Sequence, residues 1–290
     1  MRSGPGTRSS SPGEPSCGRA SPWISTRSEG DVEPLVAVVT GAGEGIGRAI
    51  VEDLLATTPA RVVAVDRNPR LLDRLLAAPG GRVRAVLGDV AEWATHESAA
   101  DAAAEEGRLA WWVNNAGTDV AGGAHEVTAD DIAAGLRVNQ YGPMYGTAVA
   151  VRRLMPHGGS IVNISSIQGM VAFPRYFAYQ SAKAAIIMLT RGVAMDYGRH
   201  AIRCNVVCPG TIASPMFERG LSEDPTERAR QIGLEEAMAP LGRVGTTAEV
   251  AKAVTFLLSD DASFISGAVL TVDGGASTRC FAYPTGDSTG

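Results

Sequence analysis

The chain predicts an α/β fold, a single domain in which a doubly wound sheet of about seven parallel strands carries helices on both faces. Two observations predict it. From Leu35 onward, short and continuously apolar runs alternate with longer amphipathic segments, as expected of strands buried on both sides by their crossover helices. The first of those runs enters a glycine-rich turn followed by a helical pattern, and open sheets of this kind take ligands at the carboxyl ends of their strands. The 290 residues and 45% hydrophobic content suffice for one large α/β domain or two small ones.

Residues 1–33, which begin MRSGPGTRSSSPGEPSCGRASPWISTRSEG, are rich in Ser, Pro, Gly and Arg and contain no apolar run. Such a stretch cannot bury enough surface to offset its ordering entropy, so a disordered extension is expected. A secretory signal needs a continuous apolar region, which is absent, and the prolines disfavour the amphipathic helix of a transit peptide. The catalytic domain is expected over 34–277. Its strands read as LVAVVT (35–40), RVVAVD (61–66), RVRAVL (82–87), LAWWV (109–113), GSIVNIS (159–165), IRCNVV (202–207) and AVLTV (268–272). Helical periodicity falls near 46–57, 69–77, 96–106, 128–155, 178–198 and 247–258. Residues 278–290 form a tail beyond the last strand. No stretch approaches the length of a membrane span.

A net charge of −5 and a pI near 5.5, with scattered arginines, give no electrostatic footprint for nucleic acid or an anionic membrane. Four cysteines are too few for a disulfide framework, which suits a reducing, cytoplasmic compartment. Cys204 and Cys208 share one strand and stand roughly 13 Å apart, too far for a bridge. The four histidines, His96, His125, His157 and His200, lack metal-ligand spacing, and no metal site is expected.

The chemistry concentrates in four places. In TGAGEGIG (40–47) the glycines let backbone approach a pyrophosphate, whose charge then sits on the N-terminal dipole of the following helix. The second strand ends in Asp66, where a carboxylate accepts hydrogen bonds from adenosine ribose hydroxyls and opposes a 2′-phosphate, so NAD(H) is favoured over NADP(H). Arg67 is the counterweight, since it could swing toward a phosphate. Of the 26 basic residues only Lys183 and Lys252 are lysines. Lys183 follows Tyr179 by four positions in AYQSAKAAI, which puts both on one helix face. A neighbouring ammonium is expected to stabilise the phenolate and lower its pKa, and lysine's compact charge suits that point better than an arginine fork. Thirteen residues before Tyr179, at the end of the fifth strand, Ser166 could hold a substrate oxygen. Ser165 is the nearest wrong choice, because adjacent strand residues point to opposite faces.

The strict G-x-G-x-x-G template fails at Ile46. The spacing Gly41, Gly45, Gly47, with Asp66, NNAG (114–117), Ser166, Tyr179 and Lys183 in that order, resembles the short-chain dehydrogenase/reductase family over roughly residues 35–277. The resemblance implies a Rossmann-like fold and further roles. Glu44 adds a negative charge near the phosphate path, where phosphate-preferring relatives often carry a basic residue. In GDV (88–90), Asp89 and Val90 belong to the adenine site. Asn114 is structural, whereas Asn115, Ala116 and Gly117 line the cofactor. Asn139, in RVNQYG, matches the fourth catalytic position, where a helix distortion lets the asparagine backbone hold a water linked to the lysine. In PGTIAS, Pro209, Gly210, Ile212 and Ser214 match the segment that meets the nicotinamide, with Ser214 in place of the more usual threonine. The loops 168–177 and 212–242 match the pocket wall and lid, with Gln168, Phe173, Tyr176, Met216 and Phe217 as candidate substrate contacts. Relatives commonly form tetramers through their two long helices and last strand, so a homotetramer or homodimer is expected, and Phe281 and Tyr283 of the tail either pack on a neighbouring subunit or are disordered.

Together these residues imply reversible hydride transfer between NAD(H) and a small-molecule secondary alcohol or ketone, with Asn139, Ser166, Tyr179 and Lys183 as the catalytic set. Alicyclic, polyol or sugar-like, and hydroxyacid substrates stay open. The rival readings are an NADPH-dependent ketoreductase of biosynthesis and a non-catalytic nucleotide-binding scaffold, the second weakened because no reacting residue is missing.

Overall fold

The computed structural model describes residue 1, residues 33–77 and residues 80–278. By its internal contacts the chain divides between Val32 and Glu33, and the fold lies in the second unit. Apart from Met1, Glu33 and Thr278, the expected N-terminal extension and C-terminal tail fall outside the described residues.

The sheet has seven strands, β1 (Leu35–Thr40), β2 (Arg61–Asp66), β3 (Val83–Leu87), β4 (Arg108–Asn114), β5 (Gly159–Ile164), β6 (Ile202–Pro209) and, after two short strands elsewhere, β9 (Val269–Val272). All are parallel, in the order β3-β2-β1-β4-β5-β6-β9. This is the expected doubly wound sheet, and its order reverses between β1 and β4, where a crevice opens at the carboxyl ends. Burial on both faces explains the apolar runs. Within β1, Ala37 and Val39 pack on one side and Val36 and Val38 on the other.

One face is covered by α1 (Gly45–Thr57), α2 (Pro69–Leu76) and α9 (Thr247–Leu258), through Ile50, Leu54, Leu72, Val250, Val254 and Leu257. The other is covered by α3 (Trp93–Glu106), α5 (Gly142–Leu154) and α6 (Phe177–Tyr197), which press Ala99, Ala103, Val149, Leu154 and Val193 against Trp112 and Ile161. The alanines of α3 bring that helix close to the sheet.

The helix expected over 128–155 is in fact two. A capping box at Thr128 and Asp131 opens α4 (Ala129–Leu136), and a π-helical turn at Arg137–Tyr141 joins it to α5. Pro143 supplies the physical reason. It has no N–H, so the carbonyl four residues back, that of Asn139, loses its α-helical partner and the turn widens. The lid segment also holds more structure than its sequence shows, with α7 (Pro215–Gly220) and α8 (Pro225–Met238), and β7 (Ile212–Ala213) paired with β8 (Gly245–Thr246) in a second, two-stranded sheet. Helix α8 buries no residue fully, so it carries no apolar stripe to betray it.

Candidate active site

At the end of β1 the chain turns through Gly41 (φ +62°) and Gly45 (φ +57°) into α1. A Cβ on Gly41 would stand 2.8 Å from Ala116 Cα, and one on Gly47 would stand 2.0 Å from Gly41 O. The turn is therefore closed to side chains and open to an approaching phosphate group. Thr40, which motif reading passed over, binds it to the neighbouring loop: its Oγ accepts from Asn115 N at 3.0 Å and from Ala116 N at 3.2 Å. Asn115 Nδ2 donates to Thr40 O and Gly41 O, both at 3.0 Å, so its side chain supports the turn from below. Gly117 lies beside two of the expected catalytic residues, since a Cβ there would be 3.2 Å from Asn139 Oδ1 and 3.5 Å from Lys183 Nζ. This cradle fits a dinucleotide.

The residues expected to meet the adenosine are similarly held in place. Asp66 Oδ2 accepts from Gly43 N and Oδ1 from Asn68 N, both at 2.9 Å, which fixes the carboxylate at the tip of β2. Arg67 beside it is exposed. Asp89 is exposed and accepts from Ala91 N at 2.9 Å, and Val90 O accepts from His96 Nε2 at 2.9 Å. Glu44 differs from expectation. It pairs with Arg219 of α7 at 2.8 Å, so its charge is compensated and does not stand alone against a phosphate. Ile46 packs half-buried against the core.

The expected catalytic residues converge from three elements. Ser166 follows β5 in extended backbone and its Oγ accepts from Gln168 N at 3.1 Å. Its hydroxyl acts on the Tyr179 phenol, drawing that group's pKa down against the effect of burial. Ser165 faces away, donating to Lys183 O at 2.7 Å, which separates the two serines as the strand alternation requires. Asn139 is fully buried in the π turn and its amide holds Thr118 on both sides, Oδ1 to N at 3.0 Å and Nδ2 to O at 2.9 Å. Lys183 is 3% exposed, donates to Ile164 O at 3.1 Å, and lies 5.5 Å from the Tyr179 ring centroid.

The expected lowering of the Tyr179 pKa is not found. Burial raises it, the charge of Asp119 raises it further, and the Ser166 hydrogen bond opposes them. Burial outweighs the opposing contribution, while Lys183 Nζ is committed to the Ile164 carbonyl and stands 5.5 Å from the ring centroid. Burial pushes the Lys183 ammonium itself down to about 8.

Tyr176 stands edge-on to Tyr179 with ring centroids 6.1 Å apart. Gln168 presents a buried amide oxygen, and Phe173, half-buried, donates its backbone N–H to Gln180 Oε1 at 3.1 Å. Met216 and Phe217 lie on α7, the first exposed and the second half-buried, and Ser214 caps that helix by accepting from Phe217 N at 3.3 Å. Pro209 ends β6, Gly210 N donates to Val272 O at 3.0 Å, and Ile212 is buried in β7. A cavity of about 540 Å³, lined by Ile167, Thr211, Glu235, Met238, Leu241 and Asp273 among others, lies between α8 and the turn after β9 and contains none of the expected site residues. Among the described residues no three His, Cys, Asp or Glu side chains are grouped to hold a metal, and no helix is long and apolar enough to cross a membrane.

Residues 41–277 match a family described as enoyl-(acyl carrier protein) reductase. The chain is 39% identical over 248 residues to 2-(S)-hydroxypropyl-CoM dehydrogenase 3 of Xanthobacter autotrophicus, covering 83% of this chain and 95% of that protein. It is 37% identical over 243 residues to meso-2,3-butanediol dehydrogenase of Serratia marcescens, covering 83% and 94%. Among solved structures, the ligand-free aldohexose dehydrogenase of Thermoplasma acidophilum matches with a TM-score of 0.76 and 33% identity, over 87% of this chain and 97% of that one.

Proposed function

The chain belongs to the short-chain dehydrogenase/reductase family, and from that premise we propose that it is an NAD(H)-dependent oxidoreductase interconverting a secondary alcohol and a ketone. The observation that carries the reading is the meeting of Ser166, Tyr179, Lys183 and Asn139 beside Gly117 and the glycine cradle. The two relatives named above are, by name, a hydroxypropyl-CoM dehydrogenase and a butanediol dehydrogenase.

Gly41, Gly45, Ile46 and Gly47 would hold the pyrophosphate, Asp66, Asp89 and Val90 the adenosine, and Asn115, Ala116, Gly117, Pro209, Gly210, Ile212 and Ser214 the nicotinamide end. When bound, that ring supplies a hydride acceptor for oxidation and a donor for the reverse. Ser166 orients the substrate oxygen and Tyr179, as phenolate, takes its proton as the carbon gives up hydride. Lys183, now bonded to Ile164 O, would hold the ribose. The Asn139 carbonyl, freed by Pro143, supports the path by which the proton leaves. Because burial holds the phenol above its ordinary value, oxidation rises toward alkaline pH.

NAD(H) is preferred on the strength of Asp66, with Glu44 compensated by Arg219. Exposed apolar side chains along α5 and α6, Met144, Met188 and Met195, favour a homotetramer or homodimer. The free, buried thiols of Cys204 and Cys208 suit the cytoplasm. Incubation of the purified protein with NAD⁺ and a panel of secondary alcohols, read at 340 nm, tests the function. Cofactor reduction with at least one alcohol is the expected result. Its absence across the panel with both NAD⁺ and NADP⁺ would contradict the reading.

A further inference from the structure

The segment 209–214, which would receive the nicotinamide, is fixed on one side through its main chain. Gly210 N donates to Val272 O at 3.0 Å, and a Cβ on Gly210 would stand 2.9 Å from Asp273 Cβ, so the chain lies directly on the end of β9. Thr211 O accepts from Gly245 N at 2.9 Å, and Ile212 and Ala213 pair with Gly245 and Thr246. The Thr211 side chain reaches a different element. Its Oγ donates to Glu235 Oε2 at 2.5 Å, and both residues are half-buried. That length belongs to a hydroxyl bound to a carboxylate, the stronger class of hydrogen bond.

Glu235 comes from α8, 24 positions further on. This helix buries no residue fully. The cavity of about 540 Å³ between it and the turn after β9 is lined by both Thr211 and Glu235. Close apolar packing therefore does not fix α8 against the segment, and the Thr211–Glu235 bond stands in the cavity wall as a strut. The helix holds its own place by ties at either flank. Gln231 Oε1 accepts from Ser222 N at 2.8 Å, and beyond the last turn Leu241 N donates to Gly274 O at 3.2 Å. Glu235 thus has a defined position from which to hold Thr211. Ile167, which follows Ser166, lines the same cavity, so the strut adjoins the turn of the expected catalytic serine. The residues expected to meet the adenosine lie elsewhere: Asp66 ends β2 and Val90 follows β3, at the opposite edge of the sheet from β6 and β9.

We propose that Glu235, acting through Thr211, is a positioning residue for the nicotinamide half of the cofactor, and that it has no part in holding the adenosine half. This rests on the oxidoreductase reading and adds to it a residue that touches neither cofactor nor substrate.

The test titrates NADH and ADP-ribose, which lacks the nicotinamide ring, by calorimetry into the parent, T211V, E235A, E235Q and T211V/E235A proteins. The expected result is NADH affinity about tenfold weaker in T211V and in E235A, with ADP-ribose affinity within about twofold of the parent in both. The double variant should be no weaker than either single one, because one bond is removed in all three. E235Q, whose amide oxygen still accepts from Thr211, should stay within about threefold of the parent. Equal weakening of the two ligands overturns the proposal and marks the bond as structural. So does NADH affinity unmoved in both single variants, or an E235Q protein as weak as E235A. If melting shows that T211V or E235A does not fold, E235D, which withdraws the carboxylate by one methylene, must give the same split between the ligands, and its absence refutes the role. A parent protein that binds neither ligand defeats the cofactor reading itself, and the positioning role with it.

Discussion

Replacing Gly146 with alanine sets two magnitudes against each other. Gly146 lies in the middle of α5, where alanine is favoured by about 1 kcal/mol of helix propensity. The Cβ it adds would stand 2.1 Å from Asn114 Oδ1 and 3.0 Å from both His96 Nδ1 and Trp112 Nε1. Asn114 cannot retreat. Its Oδ1 accepts from the fully buried Trp112 Nε1 at 2.8 Å, while its Nδ2 donates to Asn163 Oδ1 at 2.8 Å and Thr147 Oγ at 3.0 Å. Displacing it leaves a buried indole N–H unpaired, at about 1–3 kcal/mol. Overpacking the seam between α5 and β4 costs about 1–3 kcal/mol more. The clash wins, and G146A should be destabilised by about 3 kcal/mol, lowering the melting midpoint by roughly 6–12 °C in a domain of this size. Thermal unfolding followed by circular dichroism measures it. A variant that melts at or above the parent temperature would refute the account of Asn114 as a fixed node between β4 and β5.

Three other outcomes follow from the same geometry. Burial holds His96 below its ordinary pKa, opposed by its bond to Val90; below about pH 6.5 the unfolded chain therefore takes up the proton first, and stability falls as pH falls. Urea midpoints between pH 7.5 and 5.5 should decline more steeply in the parent than in H96Q, and equal slopes would remove His96 from the account. D66N should narrow the preference for NADH over NADPH by about tenfold in fluorescence titration, and an unchanged ratio would move the discrimination elsewhere. The Glu44–Arg219 pair is exposed at both partners, so a double-mutant cycle on NADH affinity should give only about 0.2–1 kcal/mol of coupling, fading with salt; a coupling above 2 kcal/mol would contradict the exposed geometry.

The sheet was legible because each strand is buried on both faces, which writes an apolar run such as VAVVT or RVVAVD directly into the sequence. The cradle was legible because only glycine fits it. The break in the long helix was readable in principle, since Pro143 stands four residues after Asn139, but family likeness rather than that proline gave the expectation. Helix α8 left no apolar stripe, and only its start, Asp224 capping Glu227 N with Pro225 between, marked it. What local sequence could not carry were pairings across distance. Glu44 meets Arg219 from 175 positions away, and the direction of the Tyr179 pKa is set first by burial that only the folded chain creates.

The most direct test of the central claim is Tyr179→Phe, assayed side by side for NADH binding and for alcohol-dependent reduction of NAD⁺. The substitution removes one oxygen from a half-buried ring and leaves the cradle untouched. The account predicts NADH affinity within about threefold of the parent and turnover lowered by about 10²–10⁴. Turnover within tenfold of the parent, with NADH still bound, would contradict the assignment of Tyr179 as the group that moves the proton.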